Sequence, residues 1–362
     1  MATLNFMGRS GFTWFFGVVE DRNDPEYLGR LKVRCIGYHT ENKTELPTAD
    51  LPWATVLTPI TSASISGIGT SPTGVLPGSW VFGFFKDKDC QEPMILGTMP
   101  GRPVAFSDPS LGFNDPNGKY PTLIFEPDTN RHAINEKYNG YEILPNPILE
   151  IRRATRITSV AAASMPSFST ALGSFIDEVP VETWDQPEDA YNAIYPYNKV
   201  TETESGHLIE LDDTPAAERI HVRHRTGTSI ELAKNGDRID IIKNKKYSLT
   251  ASDSNTLIEG SSNVTIDGHS KVYINRSGAI GNHYTVQVGA NANVNIVCDN
   301  GDINLFTNNG NINLNANGDL TQKVTGNYRL SVQGNVIETV EGSISTTSIG
   351  SNVIRASTID LN

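Results

Sequence analysis

Charge is scarce in this sequence. Only 19% of its 362 residues are Asp, Glu, Lys or Arg, and 38% are hydrophobic. Ordinary globular domains carry roughly 25% and 45–50%. Asn, Ser and Thr fill the gap. The charge present leans acidic, 29 Lys+Arg against 41 Asp+Glu for a net −12, which argues against binding to a nucleic-acid backbone. No apolar run approaches the ~20 residues of a membrane-spanning helix. Cysteine is nearly lacking. Cys35, Cys90 and Cys298 are odd in number and far apart, so they form neither a disulfide framework nor a zinc motif, and buried free thiols are expected. Met1 to Arg9 lacks a basic-then-apolar signal pattern, which predicts synthesis in a cytoplasm. The length suggests two or three domains.

What is present is a repeat. Gly310, Gly318, Gly326, Gly334, Gly342 and Gly350 are spaced by eight, as are Gly260–Gly268 and Gly281–Gly289. Two residues before the glycine stands a β-branched residue in Ile258, Ile266, Val324, Val332 and Val340. Between glycines the text alternates, as in Ile303-Asn304-Leu305 and Ile312-Asn313-Leu314, the period of a strand. Residues 281–362 hold three Lys/Arg and six Asp/Glu against sixteen Asn.

Two or three apolar residues per octet cannot enclose a core, so such repeats are stable only by stacking on neighbours. A single-chain solenoid needs longer coils. The short period favours an intertwined three-chain β-helix, or β-prism, and closure removes exposed sheet edges. Val and Ile two residues before glycine are the expected inward core, with Gly260, Gly268, Gly326, Gly334 and Gly342 at the corners. Asn at matching positions would stack into amide ladders without adding charge.

Residues 1–103 read differently. Short strands are predicted at Phe12–Val19, Arg30–Ile36, Ala54–Leu57, Trp80–Phe85 and Met94–Gly97, divided by Gly-rich turns. Five such strands in about 100 residues predict a small Greek-key barrel of OB type. OB barrels often bind oligonucleotides through aromatics in a positive groove. In an acidic chain, Trp14, Phe15, Phe16, Phe82, Phe84 and Phe85 are expected in core and interface instead. Residues 104–195 are rich in Pro, Asp and Asn. Short helices are predicted at Ala154–Met165, stopped by Pro166, and near Phe168–Ile176, within an otherwise extended linker along the surface. The neck and fibre occupy 196–362.

Particular motifs carry a resemblance. Trp14-Phe15-Phe16-Gly17-Val18-Val19-Glu20-Asp21-Arg22, Asp24-Pro25 and Leu28-Gly29-Arg30 resemble the opening of the central spike proteins of T-even-type contractile phage baseplates. So do Leu51-Pro52-Trp53, Pro59-Ile60-Thr61-Ser62-Ala63, Ser66-Gly67-Ile68-Gly69 and Gly97-Thr98. Tyr195-Pro196-Tyr197-Asn198-Lys199-Val200, then Ser205-Gly206-His207-Leu208-Ile209-Glu210 and Asp212-Asp213-Thr214, are similar to the neck that leads into the prism. That neck is shared with spikes of bacterial type VI secretion. The resemblance covers about 1–135 and 195–362.

The resemblance implies a homotrimer whose barrel joins a hub protein at the tube end, with Trp14, Trp53, Ser66, Gly67 and Gly69 as hub-facing candidates. It implies a small conical tip protein at the distal end, since Ile354 to Asn362 holds no histidine for a metal-bound tip and the prism would end bluntly on a strand. It places the particle in a virion tail, made in the host cytoplasm and driven against the host outer membrane.

Family members commonly carry a lysozyme domain between barrel and prism, needing roughly 160 residues and a Glu/Asp pair for glycoside hydrolysis. The interval here is shorter, and no Glu within 104–195 is followed by Asp nine residues later. A lysozyme-less, non-enzymatic spike without cofactor is therefore expected. Metal binding finds little support: His221 and His224 fall on opposite faces of a strand. Two alternatives stand beside this reading. One is a spike-associated hydrolase acting on peptidoglycan or capsule. The other is a type VI spike, although those usually carry a larger hub region before the barrel and Met1 begins almost at it.

Overall fold

The computed structural model describes residues 12–118, 124–135, 187, 190–266, 268–275, 278 and 280–359. The chain divides into two compact units, residues 1–294 and 295–362.

The first unit begins with a closed barrel of five strands, β1 (Thr13–Asp21), β2 (Leu31–Cys35), β3 (Trp53–Val56), β4 (Trp80–Phe85) and β5 (Pro93–Thr98), in the order β1-β2-β3-β5-β4. All pairs are antiparallel except β3 with β5. Each observed strand overlies one expected from the sequence. Phe15, Val19, Leu31, Val33, Cys35, Ala54, Val81, Phe85 and Ile95 fill the interior from alternate positions of the pleated strands, while β2 is covered on both faces. Gly83 lies where β4 meets β5 so closely that any Cβ would collide with the Met94 carbonyl, which explains a glycine amid Phe82, Phe84 and Phe85.

An ion pair fastens the barrel wall. Arg34 on β2 is fully buried and donates from Nε to Glu20 Oε1 at 2.6 Å. Its remaining nitrogens reach the carbonyls of Thr40 at 2.6 Å and Leu46 at 2.7 Å. Thr48 adds its hydroxyl to Glu20. One guanidinium thus sews the 40–48 segment onto the strands.

After the barrel, short helix α1 (Arg131–Ile134) leads, past residues outside those described, to a five-stranded antiparallel meander. Its strands are β6 (Asn198–Glu202), β7 (Leu208–Asp212), β8 (Arg219–Arg223), β9 (Ser229–Leu232) and β10 (Arg238–Ile241), in sequence order across the sheet. The helices expected at 154–165 and 168–176, and the surface course of that linker, lie outside the described residues.

From 242 to 359 the described residues form no strand ladder. In the second unit the backbone bends at Asn317–Gly318, Thr325–Gly326, Gln333–Gly334, Glu341–Gly342 and Ile349–Gly350, once in every octet. The glycine period read from the sequence is therefore a period of backbone geometry.

The cysteines depart from expectation. Only Cys35 is buried; Cys90 is half-buried and Cys298 exposed. Cys35 occupies an inward position of β2, and burial pushes its thiol up to about 12. Cys90 instead sits in a turn whose amides at Gln91 and Glu92 are capped by Asp87, outside the strand alternation that would have buried it.

Candidate interaction surfaces

The barrel's aromatic residues divide by strand parity. Phe15 and Phe85 point inward, whereas Trp14 and Phe16 on β1 remain about half exposed at 46% and 49%. Trp14 stacks on Phe82 of β4 with centroids 4.9 Å apart and planes inclined by 11°. Phe12 meets Trp14 edge-on at 4.1 Å, and Phe16 lies 5.3 Å from Phe82. A contiguous aromatic strip of this kind marks a protein contact more readily than a solvent face.

Trp53 stands elsewhere. It pairs across the sheet with Lys32, which is level with Asp21 on β1, while Trp14 is seven positions earlier on that strand. At about 3.3 Å per residue the two tryptophans are thus roughly 20 Å apart along the barrel wall. Lys32 and Arg30 cover the Trp53 ring at 5.0 and 5.7 Å. The structure does not bring Trp14 and Trp53 onto one spot.

Ser66, Gly67 and Gly69 lie together at the tip of the β3–β4 connection. The tip is closed by an Ile65–Ile68 bridge and by a hydrogen bond from Ser62 Oγ to the Thr70 carbonyl at 3.2 Å. Ile60, Ile65 and Ile68 are exposed there. Gly69 has φ +106°, and a Cβ would stand 2.8 Å from Ser62 Cα. Gly69→Ala should cost about 1–2 kcal/mol in the tip alone. Amide exchange at Ile68, whose N–H donates to the Ile65 carbonyl at 3.0 Å, should quicken while the barrel melts as before.

At the base of this connection Pro72 packs on Gly29, in the loop that Asp24 organises. The Asp24 carboxylate accepts the amides of Glu26, Leu28 and Arg30 and the Arg30 guanidinium at 2.7 Å. The Arg30 contact holds its pKa far below the ordinary 3.8, burial opposing. A depressed carboxylate stabilises the fold above its ordinary pKa and loses that contribution as pH falls through it. The melting temperature should therefore drop as pH falls below about 4. Asp24→Asn should start lower at neutral pH and show a flatter acid limb.

In the neck sheet the usual polarity of a two-faced sheet is inverted. One face carries Asn198, Glu210, Asp212, Arg219, His221, Arg223, Ser229 and Glu231, and these are the buried residues. The other face carries Ile209, Leu211, Ile220, Val222, Ile230 and Leu232, all exposed at 39–49%. Cross-strand pairing aligns Ile209–Val222–Ile230 and Leu211–Ile220–Leu232 into two apolar rows. On the polar face, Glu210 forms an ion pair with Arg219 at 2.8 Å and hydrogen bonds with His221 Nδ1 at 2.7 Å and Asn198 Nδ2 at 3.0 Å. Arg219 also reaches Glu231 at 3.0 Å. Burial lowers the pKa of Arg223, with Glu210 and Glu202 acting the other way.

His221 is buried and His224 exposed, the opposite facing expected from their spacing. The sequence reading did not find that His224 meets His207 across the ladder, with centroids 4.5 Å apart. It also missed Arg34–Glu20 and the outward turn of the neck's apolar rows. The available signal for the neck was the alternation of Arg219, His221 and Arg223 with Ile220 and Val222, which marks two faces without saying which is covered. Among the described residues no group of three or more His, Cys, Asp or Glu side chains could hold a metal ion.

The expected prism residues Ile258, Ile266, Val324, Val332 and Val340 are 45–53% exposed in the single chain. Gly260, Gly268, Gly326, Gly334 and Gly342 meet no atom within 4 Å of where a Cβ would be.

Comparison with known proteins agrees with the barrel. Residues 37–159 match the family described as the Gp5 N-terminal OB domain. The match covers β3 to β5, and β1 and β2 complete the closed barrel. The chain is 39% identical over 279 residues to protein Gp5 of Vibrio phage KVP40, covering 71% of this chain and 63% of that protein. It is 40% identical over 154 residues to the pre-baseplate central spike protein Gp5 of Enterobacteria phage T4, covering 41% of this chain and 26% of that protein. The chain thus spans less than two thirds of the length of either relative. Residues 37–159 therefore carry a Gp5-type N-terminal OB domain, and through the residues shared along 71% and 41% of its length the chain is similar to these two phage Gp5 proteins.

Proposed function

We propose that this chain is the central spike of a contractile phage tail baseplate, a homotrimer that transmits force to the host outer membrane without catalysing a reaction. Residues 1–103 form the barrel that meets a hub protein, 104–195 the connection, and 196–362 the neck and the intertwined β-helix. A small tip protein caps the distal end, and the mature particle resides in the virion. The observation that carries this reading is the neck sheet, whose apolar rows Ile209–Val222–Ile230 and Leu211–Ile220–Leu232 are open while its charged face is covered. Open apolar rows of this size are stable in water only against another surface.

The octet supports the same partner. Half-exposed Val and Ile at a fixed register, beside glycines with open space around them, suit identical chains meeting at a common axis. Scarce charge avoids repulsion and desolvation there. Intertwining makes partial opening break many contacts at once, so unfolding is slow. The Trp14–Phe82 strip and the Ser66–Gly69 tip offer two separate places for the hub.

Light scattering should give three times 39.5 kDa. A monomer would remove the proposal. Peptidoglycan and capsule zymography should stay dark; clear lysis would establish a hydrolase instead.

A further inference from the structure

We infer that Asn135 and Tyr191 bound a closed insertion site on the neck. The chain departs at the first and returns beside it at the second, so the interval between them is carried by the spike and does not set the distance from barrel to neck.

Hydrogen bonds between residues far apart in sequence carry this inference. At the departing end Asn135 has φ 51° and ψ 36°, which turns the chain out of α1, and its Nδ2 donates to the Ala193 carbonyl at 2.9 Å. At the returning end Tyr191 donates its hydroxyl to the His132 carbonyl at 2.9 Å and lays its ring 5.1 Å from the Arg219 guanidinium. Asn198 donates to the same His132 carbonyl at 2.9 Å and to Glu210 at 3.0 Å. The Ile194 amide donates to Thr214 Oγ1 at 3.0 Å. Ala133 and Ala193 are buried against this joint. These contacts rest on the charged face of the neck, which explains why that face, and not the apolar one, is covered.

The barrel reaches the neck by a path that avoids the interval. The Asp128 amide donates to the Gly101 carbonyl at 3.0 Å, and the Gly101 amide returns to Asp128 Oδ2 at 2.7 Å. Asn130 bonds Glu202 on β6. Arg22, just after β1, pairs with Glu204 in the β6–β7 turn at 2.7 Å. A spacer would hold its two ends apart. Here they are joined, the geometry at which chains accept or lose whole segments. The entropy of closing such an interval varies only with the logarithm of its length.

The test replaces residues 137–189 in two ways: by six Gly/Ser residues, which reach about 20 Å, and by an unrelated Gly/Ser segment of equal length. Both variants should melt within about 3 °C of the full chain and show the same number of copies by light scattering. Success of the longer replacement alone also supports the inference, because six residues are then merely too short. Loss of the cooperative transition in both, a fall beyond about 10 °C in both, or a changed copy number in both overturns it. In the otherwise intact chain, Asn135→Ala with Tyr191→Phe should lower the transition, and an unchanged transition also counts against the site. Each comparison is with the full chain, so the outcome is independent of whether that chain is a trimer.

Discussion

Replacing Arg34 by Met will destabilise the barrel by about 3–5 kcal/mol, the range measured when one partner of a buried ion pair is removed. Both partners are at 0% side-chain exposure, so the orphaned Glu20 carboxylate has no water to turn to. The Thr40 and Leu46 carbonyls lose their donors in the same step. For a domain near 100 residues, each kcal/mol shifts the melting temperature by about 4–8 °C. The barrel transition should accordingly fall by tens of degrees or disappear from a calorimetric scan. Pairing Arg34→Met with Glu20→Leu should recover part of the loss, since no buried charge then remains, while the two carbonyls stay unpaired. A single variant that melts like the parent would show the pair to be dispensable.

Val332→Asp should abolish trimer formation. If Val332 faces the axis, the change places three carboxylates at one level. At about 6 Å and an effective dielectric constant of about 20, each like-charged pair costs about 3 kcal/mol before desolvation is counted. Ile337 supplies the control. It is 82% exposed against 45% for Val332, so Ile337→Asp should leave the trimer intact. Light scattering on the two variants distinguishes the cases: a trimeric Val332→Asp would remove the inward assignment of the residues two before each glycine.

The barrel is largely legible in the sequence. Its strands are short, alternating and separated by glycine-rich turns, so local pattern and final structure coincide. The octet was legible too, and its glycines lie at the backbone bends. The hub-facing candidates were legible only as residue types. Trp14 and Trp53 share a composition signal, yet their registers set them at different levels of the wall.

The neck marks the limit of sequence reading. Alternation along Arg219–Arg223 sorts side chains into two sets, but period 2 is symmetric and carries no sign. An unaided reading buries Ile220 and Val222. In the structure Arg219, His221 and Arg223 are the buried set, because α1 and residues 191–198, tied to each other by hydrogen bonds spanning 58 to 66 positions, lie over that face.

The sequence by itself determined the strands of the barrel, the eight-residue period and the want of charge that the repeat embodies. All three are properties of neighbours along the chain. Tertiary structure alone decided which face of the neck is covered, that Arg34 and Glu20 lock the barrel wall, and that Asn135 lies beside Ala193. Each of those depends on which distant backbone atoms arrive within about 3 Å of a buried polar group, and a local pattern holds no record of that.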